Sequence, residues 1–420
     1  MDANRETPVT AFSAFPAILA LAVLGTQVYL AAGRSFQNVL ETPFLPYCLL
    51  GAFAIHMATQ PGRQELLWTL GIAAGGILWF AGFSGKFQPT WSHTIACGAF
   101  TGLASLTVLA VQVLRMRGEE QTKKLDTLFA GSAFGYSALV IAGVLNFTTK
   151  LHPRTYDLYL YAADQGFGLP ISAWTSHYLL NHGVLFKACA LVYESLPLAV
   201  SLLYAYQRSG TRPLAIRVLP AFIGGGVAVY ALYNFLPAAG PYYLFGKAFP
   251  NHLPAITDLH LVPLGEVARN AFPSMHLACA LLIFWNARRL PKWAYAVSAL
   301  YLALTAIATI GLGEHYVVDL VPAVSYALMM QAACAPATLR SRPEWKQALA
   351  TGAAATVAWI LAARFGTALF HSIVFTWTAT VATLALCGVA RHRMHPAESE
   401  LEEQTPEIPT ATRMHTTSAA

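Results

Sequence analysis

Two short stretches of this chain carry side chains with chemistry: Ala271-Phe272-Pro273-Ser274-Met275-His276 and Gly313-Glu314-His315-Tyr316-Val317-Val318-Asp319. His315 and Asp319 stand four apart, which on a helix puts both on one face, so the carboxylate can hold one ring nitrogen and leave the other aimed at an electrophile. That is the base-orienting half of a catalytic triad, with Asp319 fixing the imidazole tautomer and stabilising the positive charge that appears on attack. His276 is the candidate acid for a leaving oxygen, because an adjacent phosphate dianion raises its pKa. Each stretch opens an apolar run. If both runs are helices, their N-termini present unpaired N–H groups and partial positive charge, a site suited to phosphate. Pro273 fits a first helical position, where its missing N–H costs nothing.

The elements that position these residues follow from composition. Of 420 residues, 56% are hydrophobic and 11% charged, whereas a soluble chain carries about 25% charge. The apolar residues gather into runs of about 20, long enough to cross a hydrocarbon core of about 30 Å as helices. The expected fold is all-α, a polytopic membrane bundle of about twelve spans: 11–31, 44–59, 66–83, 91–114, 127–147, 187–206, 214–236, 273–287, 293–311, 315–335, 347–364 and 368–390. No small-residue cleavage site follows the start, so the first span is expected to be a retained anchor.

A net charge of +6 does not indicate nucleic acid here, because most Lys and Arg lie in short loops after even-numbered spans. By the positive-inside rule those loops and both termini are cytoplasmic, and the two reactive stretches face the other side. The six cysteines fall inside apolar runs without a close pair, so neither a zinc site nor a disulfide framework is indicated. The outward-facing His177, His182, His252, His260 and His371 have no spacing that forms a metal set, and neither metal nor cofactor is expected.

The segments 148–185 and 237–272 are long for connections, and long structured loops tend to be functional. The first carries Asp157 and Asp164, seven apart and on one face if helical. The plain reading of that stretch is an amphipathic helix in the outer interface. Glu194, in the middle of the sixth span, is a functional candidate whose plainer use is pairing with a neighbouring helix.

At Pro273-Ser274-Met275-His276 and at His315 with Asp319, the chain resembles the type 2 phosphatidic acid phosphatase superfamily. The resemblance implies a six-helix core, with accessory spans in 1–126, the core in 127–336 and two further spans in 337–393; the tail, 394–420, is acidic and rich in Thr and Pro without apolar periodicity and is expected to be disordered. It implies His315 as the nucleophile of a phosphohistidine, Asp319 as its orienter and His276 as acid and base. The branch resembled most closely is the inositol phosphorylceramide synthase, or aureobasidin-resistance, group. Asn234-Phe235-Leu236-Pro237-Ala238-Ala239-Gly240-Pro241-Tyr242-Tyr243 at the first motif position suggests it. Members of that branch move phosphoinositol from a phospholipid donor to a ceramide.

The motifs depart from the superfamily in charge. A Lys and an Arg-Pro pair are expected in the first motif and a Ser-Arg pair before the third-motif histidine; here stand Leu236-Pro237-Ala238-Ala239-Gly240-Pro241 and Ala308-Thr309. A transferring phosphoryl group needs its oxygens neutralised, and the nearest outward cations are Lys247 and Arg269, with Ser274 and the helix-end N–H groups as further phosphate-binding candidates. The loss of three cations leans toward a transferase acting on a phosphodiester. Water as acceptor instead of a lipid alcohol gives the alternative, a lipid or polyprenyl phosphate phosphatase. From another class, a twelve-span transporter fits the topology, but transporters place binding groups near the midplane in related repeats, and here the ionisable cluster sits at helix ends.

Overall fold

The computed structural model describes residues 44–84, 91–209, 214–254 and 258–403. The first expected span lies outside them. Every later expected span coincides with a helix except the sixth, 187–206, which is broken between two helices at Ser195. α1 (Leu45–Ala58), α2 (Arg63–Ser84), α3 (Trp91–Arg115) and α4 (Glu119–Leu151) form the N-terminal group. After strand β1 (Arg154–Thr155) come α5 (Asp157–Gln165), α6 (Ile171–Asn181), α7 (Gly183–Glu194), α8 (Leu196–Ser209) and α9 (Val218–Phe235). Short α10 (Pro241–Phe245) and strand β2 (Val262–Pro263) lead to α11 (Met275–Ala287), α12 (Lys292–Gly311) and α13 (Val317–Ala333). The chain then runs through α14 (Ala337–Arg340), α15 (Pro343–Phe365) and α16 (Ile373–Glu403).

This is an all-helical integral membrane bundle. Seven helices among the described residues are long and apolar enough to cross a membrane, and α7 with α8 passes the same test only as a pair, bent by 54° at its break. Helices α1, α11 and α13 are shorter, at 14, 13 and 17 residues. Near 1.5 Å per residue, they reach roughly 20–25 Å, less than a hydrocarbon core, so length alone does not make them spans.

The central core packs Phe134 of α4, Val200 and Tyr204 of α8, Val229 and Tyr233 of α9, Leu277 and Leu282 of α11, and Tyr326 and Met330 of α13. Polar groups inside it are paired. Asn286 Nδ2 of α11 donates to Gln331 Oε1 of α13 at 2.8 Å, and Tyr326 Oη donates to the Gly225 carbonyl of α9. Such bonds add fixed register to helix contacts that van der Waals packing drives in lipid. Glu194 ends α7 at the bend and accepts from Tyr47 Oη of α1 at 3.3 Å, so it is paired across helices.

A second apolar cluster, with Leu160, Phe167, Leu236, Phe272, Tyr316 and Trp359, closes the end of the bundle where α4 and α9 finish and α11 and α13 begin. There the two long connections meet, β1 pairing antiparallel with β2 with Arg154 opposite Pro263. The basic segments lie at the other end of the same helices. At that end Tyr206 Oη bonds the Arg289 carbonyl and the Arg217 N–H bonds the Cys334 carbonyl.

Two expectations change. α5 is no amphipathic interface helix. Asp157 and Asp164 are 0% and 9% exposed and turn into the protein, because helix ends packed in apolar surroundings need acceptors for their N–H groups. The tail expected to be disordered from residue 394 continues α16 to Glu403, with Met394 and Ala397 buried. Glu398 pairs there with Arg391 at 2.7 Å, which gives that stretch an anchored face; residues 404–420 lie outside the described residues.

Asp157 ties three segments together, accepting the N–H groups of Ala239 and Gly240 and the hydroxyl of Tyr316. Asp157→Ala leaves three buried donors without a partner, at roughly 1–3 kcal/mol each. The thermal midpoint of the purified protein in lipid nanodiscs should fall by several degrees, with Asp157→Asn recovering only part of the loss. An unchanged midpoint for Asp157→Ala would contradict this role.

Candidate active site

The site is assembled where three connections end. The extended segment before α11 passes beside the first-motif loop, the Ala271 N–H bonding the Ala238 carbonyl at 2.9 Å. The carbonyl of the same residue, Ala271, accepts His315 Nδ1–H at 2.7 Å. Three residues further, the Ser274 N–H bonds the Asp319 carbonyl at 3.2 Å. The first, second and third motif segments are therefore stitched in series by backbone bonds.

His315 lies on the loop between α12 and α13 and is 2% exposed. Since a carbonyl can only accept, its bond to Ala271 assigns the proton to Nδ1 and leaves the lone pair of the neutral ring on Nε2. Asp319 Oδ2 stands 3.5 Å from Nδ1 and accepts the Tyr316 N–H at 2.7 Å. An N–H···O bond is ordinarily near 2.9 Å, so the short orienting contact belongs to Ala271, and Asp319 contributes its charge from slightly further off. Helical spacing misplaces that contact because α13 begins at Val317, with Tyr316 as its cap. His315 precedes the helix and shares no helical face with Asp319.

His276 is in the first turn of α11, half-buried, its ring centroid 6.2 Å from that of His315. It stacks on Tyr193 of α7 at 3.7 Å with 14° between planes, which fixes its orientation where the span bends. Pro273 precedes the cap and does not occupy the first helical position: Ser274 is the N-cap of α11, its Oγ accepting the Leu277 N–H at 3.4 Å. Ser274 is fully buried. Its side-chain oxygen serves the helix start, where sequence analysis placed it on phosphate.

Arg269 requires a larger correction. It is fully buried, with Nε bonding the His152 carbonyl and Nη2 the carbonyls of Leu264 and Gly265, while Nη1 takes the Val267 carbonyl. Its N–H donors are turned to backbone acceptors of the outer connections, so it clamps the loop, and burial lowers its pKa. Carbonyl demand at a loop crossing has no sequence signature. Lys247 is exposed on the turn Gly246–Ala248 that follows α10.

The start of α13 does not offer a free anion site. Asp164 Oδ1 accepts the Val318 N–H at 2.9 Å and Oδ2 the Ser172 hydroxyl at 2.8 Å, while Asp319 takes the Tyr316 N–H. Carboxylates of the protein itself occupy the place expected for phosphate. Burial pushes the Asp164 carboxyl up to about 6 despite these bonds.

Three participants escape sequence reasoning. Glu314, next to His315, accepts Tyr243 Oη at 3.0 and 3.2 Å, and burial raises its pKa. Tyr193 supports His276, and the Ala271 carbonyl holds His315. Adjacency to His315 is the one signal that singles out Glu314. The loops behind are held close by two glycines. A Cβ on Gly240, at φ 114°, would lie 2.4 Å from the Glu314 carbonyl oxygen, and one on Gly313, at φ 75°, would lie 2.8 Å from Tyr242 and Phe249 atoms. Positive φ selects glycine at both positions, and backbone contact adds to it at Gly240.

No curated protein and no solved structure matches the chain. One family model does: residues 158–333, from α5 to the end of α13 and therefore including His276, His315 and Asp319, match the PAP2 superfamily.

Proposed function

We propose that this protein is a membrane phosphotransferase acting on lipid phosphoesters through a phosphohistidine at His315, moving a phosphoinositol-type head group to a lipid alcohol such as ceramide. The observation that carries this reading is the pair of imidazoles 6.2 Å apart with Nδ1 of His315 committed to a carbonyl at 2.7 Å. The superfamily match over the same residues supports phosphatase or phosphotransferase chemistry in general.

In the first half-reaction His315 Nε2 attacks phosphorus of the phosphodiester. The bond from phosphorus to the diacylglycerol oxygen breaks, and His276 gives that oxygen its proton. The positive charge on the phosphorylated imidazole is met by the Ala271 carbonyl and by Asp319. In the second half, the hydroxyl of the acceptor lipid loses its proton to His276 and attacks phosphorus, freeing Nε2. Water in place of the alcohol would make the protein a phosphatase. The negative side chains around His315 favour a donor with a single phosphate charge, and Lys247 supplies the remaining positive field. The same reading puts the termini in the cytoplasm and the site on the opposite face, at the end of the bundle away from the basic segments.

Purified protein in lipid with labelled phosphatidylinositol should transfer label to lipid on addition of ceramide. His315→Ala should reduce transfer by about a thousandfold or more, as expected for loss of a covalent nucleophile. His276→Ala should be rescued by a phosphodiester with an acidic leaving alcohol, which needs no proton, and His315→Ala should not; equal behaviour of the two variants would refute the division of roles.

Sidedness has its own test. A cysteine at position 247 should react with a membrane-impermeant maleimide from the outer face of intact cells, and labelling only after permeabilisation would reverse the orientation.

A further inference from the structure

We propose that Glu314 and Tyr243 form an acceptor-only subsite that takes the hydroxyl groups of a polyol head group on the transferred phosphoryl. The inference rests on the phosphotransfer reading above and adds the chemical class of the donor. Glu314 adjoins the nucleophile in sequence, and it lies close enough to Tyr193, the ring stacked on His276, for its charge to act there. The pair formed by Glu314 and Tyr243 therefore acts on both His315 and the ring that backs His276.

The hydrogen-bonding character of the pair is defined by the bond within it. Tyr243 spends its only hydroxyl hydrogen on the two carboxylate oxygens of Glu314, so its oxygen can only accept from a ligand. A carboxylate has about four lone-pair positions, and one donor straddling both oxygens leaves the others open. No Lys or Arg among the described residues lies within ion-pair distance of Glu314. A ligand must therefore bring hydrogen-bond donors, which hydroxyl and ammonium groups have and phosphoryl oxygens lack.

Between those two, the rings favour hydroxyls. An ammonium head group is usually held against open aromatic faces. Here one face of Tyr193 is covered by His276, and Tyr243 meets Tyr242 edge to face at 80°. A neighbouring carboxylate also repels a monoester dianion more than a diester, which sets phosphatidate apart from diester donors.

The test compares phosphatidylinositol, phosphatidylglycerol, phosphatidylethanolamine and phosphatidate as donors for wild type, Glu314→Gln and Tyr243→Phe. Wild type should favour the two hydroxyl-bearing donors at least tenfold in kcat/KM. Glu314→Gln should raise KM for phosphatidylinositol at least tenfold more than it raises KM for phosphatidylethanolamine, with any change in kcat shared by both donors. Tyr243→Phe, which keeps the ring, should show the same pattern more weakly, and it carries the test if Glu314→Gln does not fold. Equal losses for all donors, or a wild-type preference for phosphatidylethanolamine, would overturn the subsite.

Binding is read separately on His315→Ala protein in nanodiscs by calorimetry. Glycerophosphoinositol should bind at least tenfold more tightly than glycerophosphoethanolamine and lose that margin when Glu314→Gln is added. A retained binding margin with no turnover by wild type would sink the phosphotransfer reading and keep the subsite. Turnover through His315 that is blind to position 314 would do the reverse.

Discussion

Helices that begin inside an apolar bundle must find partners for their first N–H groups, and the site is organised by how this chain meets that demand. In water those groups would be solvated; here they are satisfied by Asp164, Asp319 and Ser274. Because each acceptor comes from a neighbouring turn or a different connection, closing the helix ends also fixes the relative positions of the motifs. Ala271 is the joint in this arrangement, its N–H on the first-motif loop and its carbonyl on His315.

The same demand sets the charge of the site. Carboxylates of Asp157, Asp164 and Asp319 lie buried around the start of α13, and Glu314 adds a fourth beside the histidines. Against them the superfamily cations are missing, and Arg269 is committed to loop carbonyls. An environment of this sign stabilises an imidazolium as it forms and disfavours a doubly charged phosphate. On the proposed function, charge of this sign favours a diester donor over a monoester.

The flanking helices hold the core by close packing and paired polar groups. α15 lies against α13 where a Cβ on Gly352 would fall 2.6 Å from the Met329 nitrogen, and Ser325 and Thr356 share a hydrogen bond of 2.8 Å. Small residues permit this approach, and in lipid the approach itself is the attraction. Since α13 carries Asp319 and follows His315, a helix outside the matched region helps to hold the third motif in place. Trp359 of α15 and Phe370 before α16 add to the apolar cluster beneath the site.

Composition and apolar periodicity determined the all-helical membrane architecture and the positions of the second to twelfth segments, because in a bilayer length and hydropathy alone decide where helices form. Residue type and spacing also singled out His276, His315 and Asp319. Partner choice was another matter. That Ala271 and not Asp319 makes the short bond to His315, that Arg269 serves loop carbonyls, that Asp157 and Asp164 turn inward and that Glu314 meets Tyr243 were decided by tertiary structure. Backbone carbonyls and N–H groups are the same at every residue, so which of them a side chain reaches depends on how distant segments cross, and the sequence carries no mark of the crossing.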